Sequence, residues 1–169
     1  MPFTLFHGII GYLSAIPFTK DPKIRFLAFA AGILPDLDGL PVLYNNELYH
    51  QIHHAWFHPP IYGIFFGLLF VTLAFLYYKK YNLPFQYLKT FGIFFLAFSL
   101  HPLTDIISSN WAINIFYPFG TLYLSTTILG IPNPGIGFLW DYSLNQLLIS
   151  LTAVLVFAVY WIRRKPQLI

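Results

Sequence analysis

Charge is what this chain has least of. Only 9% of its 169 residues are Asp, Glu, Lys or Arg, against about 25% in soluble globular domains, so a water-facing surface cannot be assembled from them. Cysteine is absent altogether, which excludes a disulfide-stapled secreted scaffold. The basic residues form no long patch, which argues against a nucleic-acid partner. What is present is apolar: 57% hydrophobic residues, 21% aromatics and a mean hydropathy of +0.65. One small soluble core could not hide that much apolar surface, and disorder is excluded for the same reason. The composition predicts a single all-α integral membrane domain over residues 1–169, a polytopic helical bundle.

A bilayer core about 30 Å thick requires about 20 mostly apolar residues per helix. Runs of that kind lie at 3–19, 26–43, 59–78, 89–109 and 144–162, which predicts about five transmembrane helices. The nine basic residues fall into three groups: Lys20, Lys23 and Arg25; Lys79, Lys80 and Lys89; Arg163, Arg164 and Lys165. With five spans all three groups share one side. The positive-inside tendency makes that side the cytoplasm, with the N-terminus, 44–58 and 110–143 outside and the C-terminus inside. Tyr77, Tyr78, Tyr160 and Trp161 then belong to the inner interface, and Trp111 and Trp140 to the outer one. No basic residue precedes the first apolar run, so it reads as a retained helix rather than a cleaved signal peptide.

The remaining ionisable residues are distributed quite differently. All six histidines, and five of the six acids, lie away from the basic groups. Counted at 1.5 Å per residue from the outer ends of the spans, His7, Asp36, Asp38, His101 and Asp105 fall at roughly 5 to 12 Å depth. His53, His54 and His58 stand just above them, at the entrance to the third span. Ionisable groups inside a bilayer cost several kcal/mol unless paired, hydrated or metal-bound. A bound cation would offset the carboxylates and take neutral imidazoles as ligands. The sequence therefore predicts a metal site near the outer face.

Local spacing supports that reading. His101 and Asp105, four apart, share one face of the fourth helix, and the intervening Pro102 predicts a distortion there; an internal His–Asp pair in a kinked helix is the alternative. In Leu34-Pro35-Asp36-Leu37-Asp38-Gly39, a helix-disturbing Pro and a turn-forming Gly flank two carboxylates, which predicts an unwound stretch aiming both inward; a cap joining two helices is the alternative. The segment 50–58 holds four histidines, with His50, His54 and His58 at helical i, i+4 spacing, which reads as a ligand cluster or as a pH-responsive interfacial turn. Phe26-Leu27-Ala28-Phe29 matches Phe95-Leu96-Ala97-Phe98, and the same offset of 69 superposes Asp36 on Asp105. A parallel helix pair delivering two carboxylates to one level would explain the echo; chance similarity of two Phe-rich runs would too. Segment 110–143 is apolar but broken by Gly120, Gly130, Pro132, Pro134 and Gly135, with Asp141 its one charge. It reads as short pieces folded over the bundle, a lid, a lipid-contacting wall or a packed connector.

In this order the motifs resemble the YdjM-like family of predicted membrane-bound metal-dependent hydrolases. An early His corresponds to His7, a Pro-Asp-x-Asp element to Pro35–Asp38, a His-Arg-x-x-Thr-His-Ser element to His53–Pro59, and a His-x-x-x-Asp element to His101 and Asp105. An aromatic-Pro-Phe element that follows is similar to Tyr117-Pro118-Phe119. His54 stands where the family usually has Arg, Phe57 where it has Thr and Pro59 where it has Ser. If that Arg ordinarily holds a substrate phosphate by bidentate hydrogen bonds, this chain has lost or relocated the contact. The family is distantly similar to the zinc-dependent phospholipases C and single-strand nucleases, an all-helical superfamily with an Asp, His, His-x-x-x-Asp ligand set. The resemblance implies a divalent transition metal, Zn or Mn and one ion or more, held by His7, Asp36, Asp38, His53, His58, His101 and Asp105. Asp38 and His54 are then candidates for acid–base roles, and the substrate a lipid or phosphate ester at the extracytoplasmic face. A transporter and a non-catalytic metal-binding membrane protein are the other readings.

Overall fold

The computed structural model describes residues 4–109, 111–132, 134–136 and 139–163, with the backbone alone for 135, 136 and 139–142. The expected places of Arg164, Lys165 and the Trp140 and Asp141 side chains lie outside the described residues. Four helical stretches are long and apolar enough to cross a membrane: Pro22–Leu43, Pro60–Lys80, Tyr87–Ser108 and Leu144–Arg163. They carry their apolar side chains outward, as lipid requires. Phe65, Leu68, Leu73 and Leu76 on one helix and Leu148, Leu151 and Leu155 on another are all exposed.

Helix α1, Thr4–Ala15, is different. Its 12 residues reach about 18 Å, short of a bilayer core. The reason is local: Pro17 has no N–H to continue the helical ladder, and the chain turns into the next helix. So five apolar helices stand where five were expected, and four are of spanning length. Helix α2, Pro22–Ile33, starts with Pro22 in its first turn and Asp21 as cap, whose carboxylate accepts the Lys23 backbone N–H at 2.9 Å, the usual chemistry of a helix start. The chain then tightens into a 3-10 helix, Leu34–Leu43. Helix α3, Asn46–Ile52, is capped by the Asn45 side chain on the Leu48 N–H. Helices α4, Pro60–Lys80, and α5, Tyr87–Ser108, form an antiparallel pair, and α5 runs unbroken through Pro102.

Helices α1 and α2 touch backbone to backbone. A Cβ on Gly11 would lie 2.4 Å from the Ala28 carbonyl oxygen, and one on Gly32 only 2.3 Å from the His7 carbonyl oxygen. Only glycine permits that approach, and it fixes His7 beside Gly32. Helix α5 packs in the middle of the bundle, its Ile93, Phe94, Ala97 and Phe98 forming the core with Ala15, Ala28, Ala31, Leu34 and Val71. It runs in the same direction as α2. Ile24 and Ile93 line one cavity near the helix starts, and the His101 ring reaches the Gly32 carbonyl at their far ends. Both pairs are 69 residues apart, the offset of the sequence echo.

The described residues of segment 110–143 fold into short pieces, some of them strands. Strand β1, Ile113–Asn114, pairs antiparallel with β2, Tyr123–Leu124. The Asn114 side chain holds the loop between them, donating to the Gly120 carbonyl and accepting from the Phe116 and Leu122 N–H groups. Helix α6, Thr126–Leu129, ends at Gly130 in the left-handed region. Strand β3, Gly135–Ile136, pairs with β4, Leu139–Ser143, which leads into α7, Leu144–Arg163. This segment and the first turn of α7 satisfy the carbonyls at the end of α5, which no helical N–H can reach. Asn145, Ser143 and Thr126 donate to the carbonyls of Ile107, Ser108 and Ser109 respectively.

The basic residues gather at the opposite end. There Arg25 meets the Tyr160 hydroxyl, Lys23 the Tyr77 hydroxyl at 3.4 Å, and Asp21 the Tyr78 hydroxyl.

Candidate metal centre

Seven ionisable side chains from four parts of the chain are buried together or beside one another at the far end: His7 from α1, Asp38 from the 3-10 helix, His53, His54 and His58 from the loop after α3, and His101 and Asp105 from α5. Asp36 joins them through two buried carboxylate oxygens. His50 is exposed and takes no part. Four overlapping groups bring ligand-type atoms within 4.8 Å of one another: His7, His101 and Asp105; Asp36, His58 and His101; Asp38, His53 and His58; His54, His58 and Asp105.

Local backbone explains how these residues converge. The Pro35–Gly39 stretch tightens instead of unwinding. In a 3-10 helix residues two apart point about 120° from each other, against about 160° in an α-helix, so Asp36 and Asp38 can both face the bundle. The i, i+4 face expected over 50–58 does not form, because α3 stops at Ile52 and His54 adopts φ 70°. That left-handed turn lets the adjacent His53 and His54 both enter the site. Such a conformation costs a non-glycine residue of order 1–3 kcal/mol. His54→Gly should therefore melt later than His54→Ala, although both lose the imidazole; equal melting temperatures in the same detergent would contradict the strain.

The hydrogen bonds fix which nitrogen of each ring carries a proton. His101 Nδ1 lies 2.6 Å from the Gly32 carbonyl oxygen, which can only accept. His58 Nδ1 lies 3.1 Å from Asp38 Oδ2, a carboxylate that likewise accepts. Thr104 donates its hydroxyl proton to the His101 carbonyl at 2.8 Å, so its oxygen accepts from His7 Nδ1 at 3.0 Å. In the neutral form each of these rings then turns a bare Nε2 lone pair the other way. Those lone pairs face carboxylates. Asp105 Oδ2 lies 3.2 Å from His101 Nε2 and 3.5 Å from His58 Nε2, and its Oδ1 3.3 Å from His7 Nε2. Asp36 Oδ1 lies 3.3 Å from His101 Nε2 and 3.9 Å from His58 Nε2. These three nitrogens and all four oxygens of Asp36 and Asp105 are buried with no hydrogen-bond partner. Lone pairs facing lone pairs without water are repulsive, and a cation between them removes the repulsion. The donor set of imidazole nitrogen and carboxylate oxygen fits a divalent transition metal.

Asp38 stands apart from that arrangement. The sequence made it a candidate ligand or base, but its oxygens are engaged by His53 Nδ1 at 2.6 Å, His58 Nδ1 at 3.1 Å and the Phe57 backbone N–H at 3.2 Å. His54 Nε2 reaches to 4.0 Å from Asp105 Oδ2. Burial, with the neighbouring His58 adding to it, holds its imidazole pKa well below the ordinary value, so the ring is neutral at physiological pH.

Three neighbours escaped the sequence reading. Thr104 could have been noticed as a hydroxyl between His101 and Asp105 on an apolar helix. The Gly32 carbonyl had no signal, since every residue has one. Trp111, expected in an interfacial belt, lays its ring 5.0–5.8 Å from those of Tyr49, His50, His53 and His54 and covers that side of the site. No curated protein and no solved structure matches the chain. The YdjM inner membrane protein family matches it over residues 1–166, and with four spanning helices and a His/Asp centre in place, the chain belongs to that family.

Proposed function

We propose that the chain is a metal-dependent hydrolase of phosphate esters, working at the membrane surface on the extracytoplasmic side, with the N-terminus outside and the C-terminus in the cytoplasm. The observation that carries this reading is the convergence of His7, His58 and His101 Nε2 with the oxygens of Asp36 and Asp105, all buried and none hydrogen-bonded. These five side chains would hold the ion, Zn or Mn. Asp105 turns its two oxygens toward different histidines, which suits a carboxylate shared between two ions. A divalent ion held there would supply a Lewis acid and a water of near-neutral pKa.

The chain's own residues supply the rest. Asp38 orients His58 and His53 through their Nδ1 protons, the Gly32 carbonyl orients His101 and Thr104 orients His7. His54, neutral and close to Asp105, is placed to take up or release a proton at Nε2. Trp111 and Tyr49 keep bulk water off the His53 side. A location at one end of the spanning helices would bring the site close to lipid headgroups, where phosphodiesters are concentrated. The core between this layer and the basic end is built of Val71, Phe94, Ala97 and Phe98, so among the described residues no polar path continues across the bundle as a transporter would require.

The test is hydrolysis by purified protein loaded with Zn or Mn, against phosphate mono- and diesters and phospholipids in mixed micelles. Metal-dependent release of product, lost on chelation and restored by the ion, is the expected result. Full metal loading without hydrolysis of any ester would replace the enzyme with a metal-stabilised membrane protein.

A further inference from the structure

A second site lies at the opposite end of the bundle. Between the α1–α2 turn and the loop before α5 is a cavity of about 450 Å³. Ile24 and Ile93 belong to its apolar wall, Gln86 and the buried Thr90 to its polar one, and Lys20 and Lys89 both reach it. Lys89 precedes Asp105 by 16 residues on one helix, about 24 Å, so this cavity cannot share a ligand with the metal centre.

Three charged groups beside these lysines, Asp21, Lys23 and Arg25, are already engaged. Asp21, which also lines the cavity, accepts the Lys23 backbone N–H on one oxygen and the Tyr78 hydroxyl on the other. Arg25 donates to the Thr19 carbonyl at 2.8 Å and meets the Tyr160 hydroxyl. Lys23 sits 5.0 Å from the centre of the Tyr77 ring. Lys20 and Lys89 have no ion pair, hydrogen bond or ring contact among the described residues. Two ammonium groups without an ion pair thus share one cavity with hydroxyl and amide donors and outnumber the single carboxylate there, Asp21, at the basic end of the helices.

We propose that this cavity binds a phosphate group, carried by an anionic lipid headgroup or present as free phosphate. Two lysines act on a phosphate as point charges, and Thr90 and Gln86 can donate to its oxygens. Basic pockets between membrane helices bind anionic headgroups in this manner. The isoleucines beside them would take the glycerol and first methylenes of a lipid.

Native mass spectrometry of the full chain released from detergent tests this, with phosphatidylglycerol, phosphatidylcholine or inorganic phosphate added separately. Wild type should retain phosphatidylglycerol or inorganic phosphate and not zwitterionic phosphatidylcholine. The Lys20→Gln/Lys89→Gln variant should retain at least about tenfold less, while Lys79→Gln/Lys80→Gln, with the same loss of charge outside the cavity, behaves as wild type. Both lysines are exposed, and circular dichroism verifies that each variant is folded. Displacement of the lipid by millimolar inorganic phosphate assigns the site to free phosphate; persistence assigns it to the lipid. Undiminished retention in the Lys20/Lys89 variant, equal loss in the control, or equal retention of phosphatidylcholine would overturn the proposal.

Discussion

Asp105→Ala should abolish transition-metal binding. Both oxygens of Asp105 are buried and none of its neighbours hydrogen-bonds them, yet they face His7, His58 and His101 at 3.2–3.5 Å. No other described carboxylate reaches all three rings, so nothing replaces it. The loss in affinity should exceed the roughly 10–100-fold that removing an outer hydrogen-bond partner of a ligand costs. Stability moves in a way that distinguishes ligation from ordinary packing. An ion present at about a thousand times its dissociation constant stabilises the fold by about 4 kcal/mol, and chelation should withdraw that from wild type. Asp105→Asn removes a buried negative charge that only a cation compensates. Its melting temperature should barely respond to chelator, and it should melt above metal-free wild type. Melting curves of both proteins with and without chelator check this; equal chelator shifts would contradict it.

Asp38→Ala should weaken metal binding without abolishing it, and should destabilise the protein more than its distance from the ion suggests. Asp38 accepts from His53, His58 and the Phe57 N–H, so truncation removes the acceptor of three donors, two of them buried, at about 1–3 kcal/mol for each buried one. His58 also loses the bond that fixes its Nδ1 proton, which should lower affinity about 10–100-fold. Asp38→Asn can retain one donor and should fall between wild type and alanine. Metal titrations of the three proteins separate the roles. A variant that still saturates at high metal places Asp38 behind the ligands. A variant that never binds makes it a ligand like Asp105.

The helical bundle was legible from the sequence because lipid demands long apolar runs, and those runs are long and separated by charge or proline. The His/Asp layer was legible because counting residues from the span ends gives depth, and depth alone aligned His7 with Asp36, His101 and Asp105, which the structure brings together. Three things were not. Asp36 and Asp38 look equivalent in the chain, and only the 3-10 rotation and the arrival of His53 and His58 separate an unpaired carboxylate from a hydrogen-bonded one. The spacing of His50, His54 and His58 suggested a helix face, but one left-handed residue at His54 turns the last two inward and leaves His50 outside. The Gly32 carbonyl faces His101 through the packing of α2 against α5, a property of two helices together. The strands in 113–143 are mostly two residues long, too short to leave a period.

Metal analysis of the protein purified in detergent without chelators, and again after incubation with Zn or Mn and removal of excess, bears on all of this at once. About one ion per chain or more, removed by chelator and taken up again, is the expected finding. A protein that stays folded and monodisperse yet holds no stoichiometric metal under either condition would mean that protons, and not an ion, lie between the histidines and carboxylates, and the metal centre would have to be abandoned.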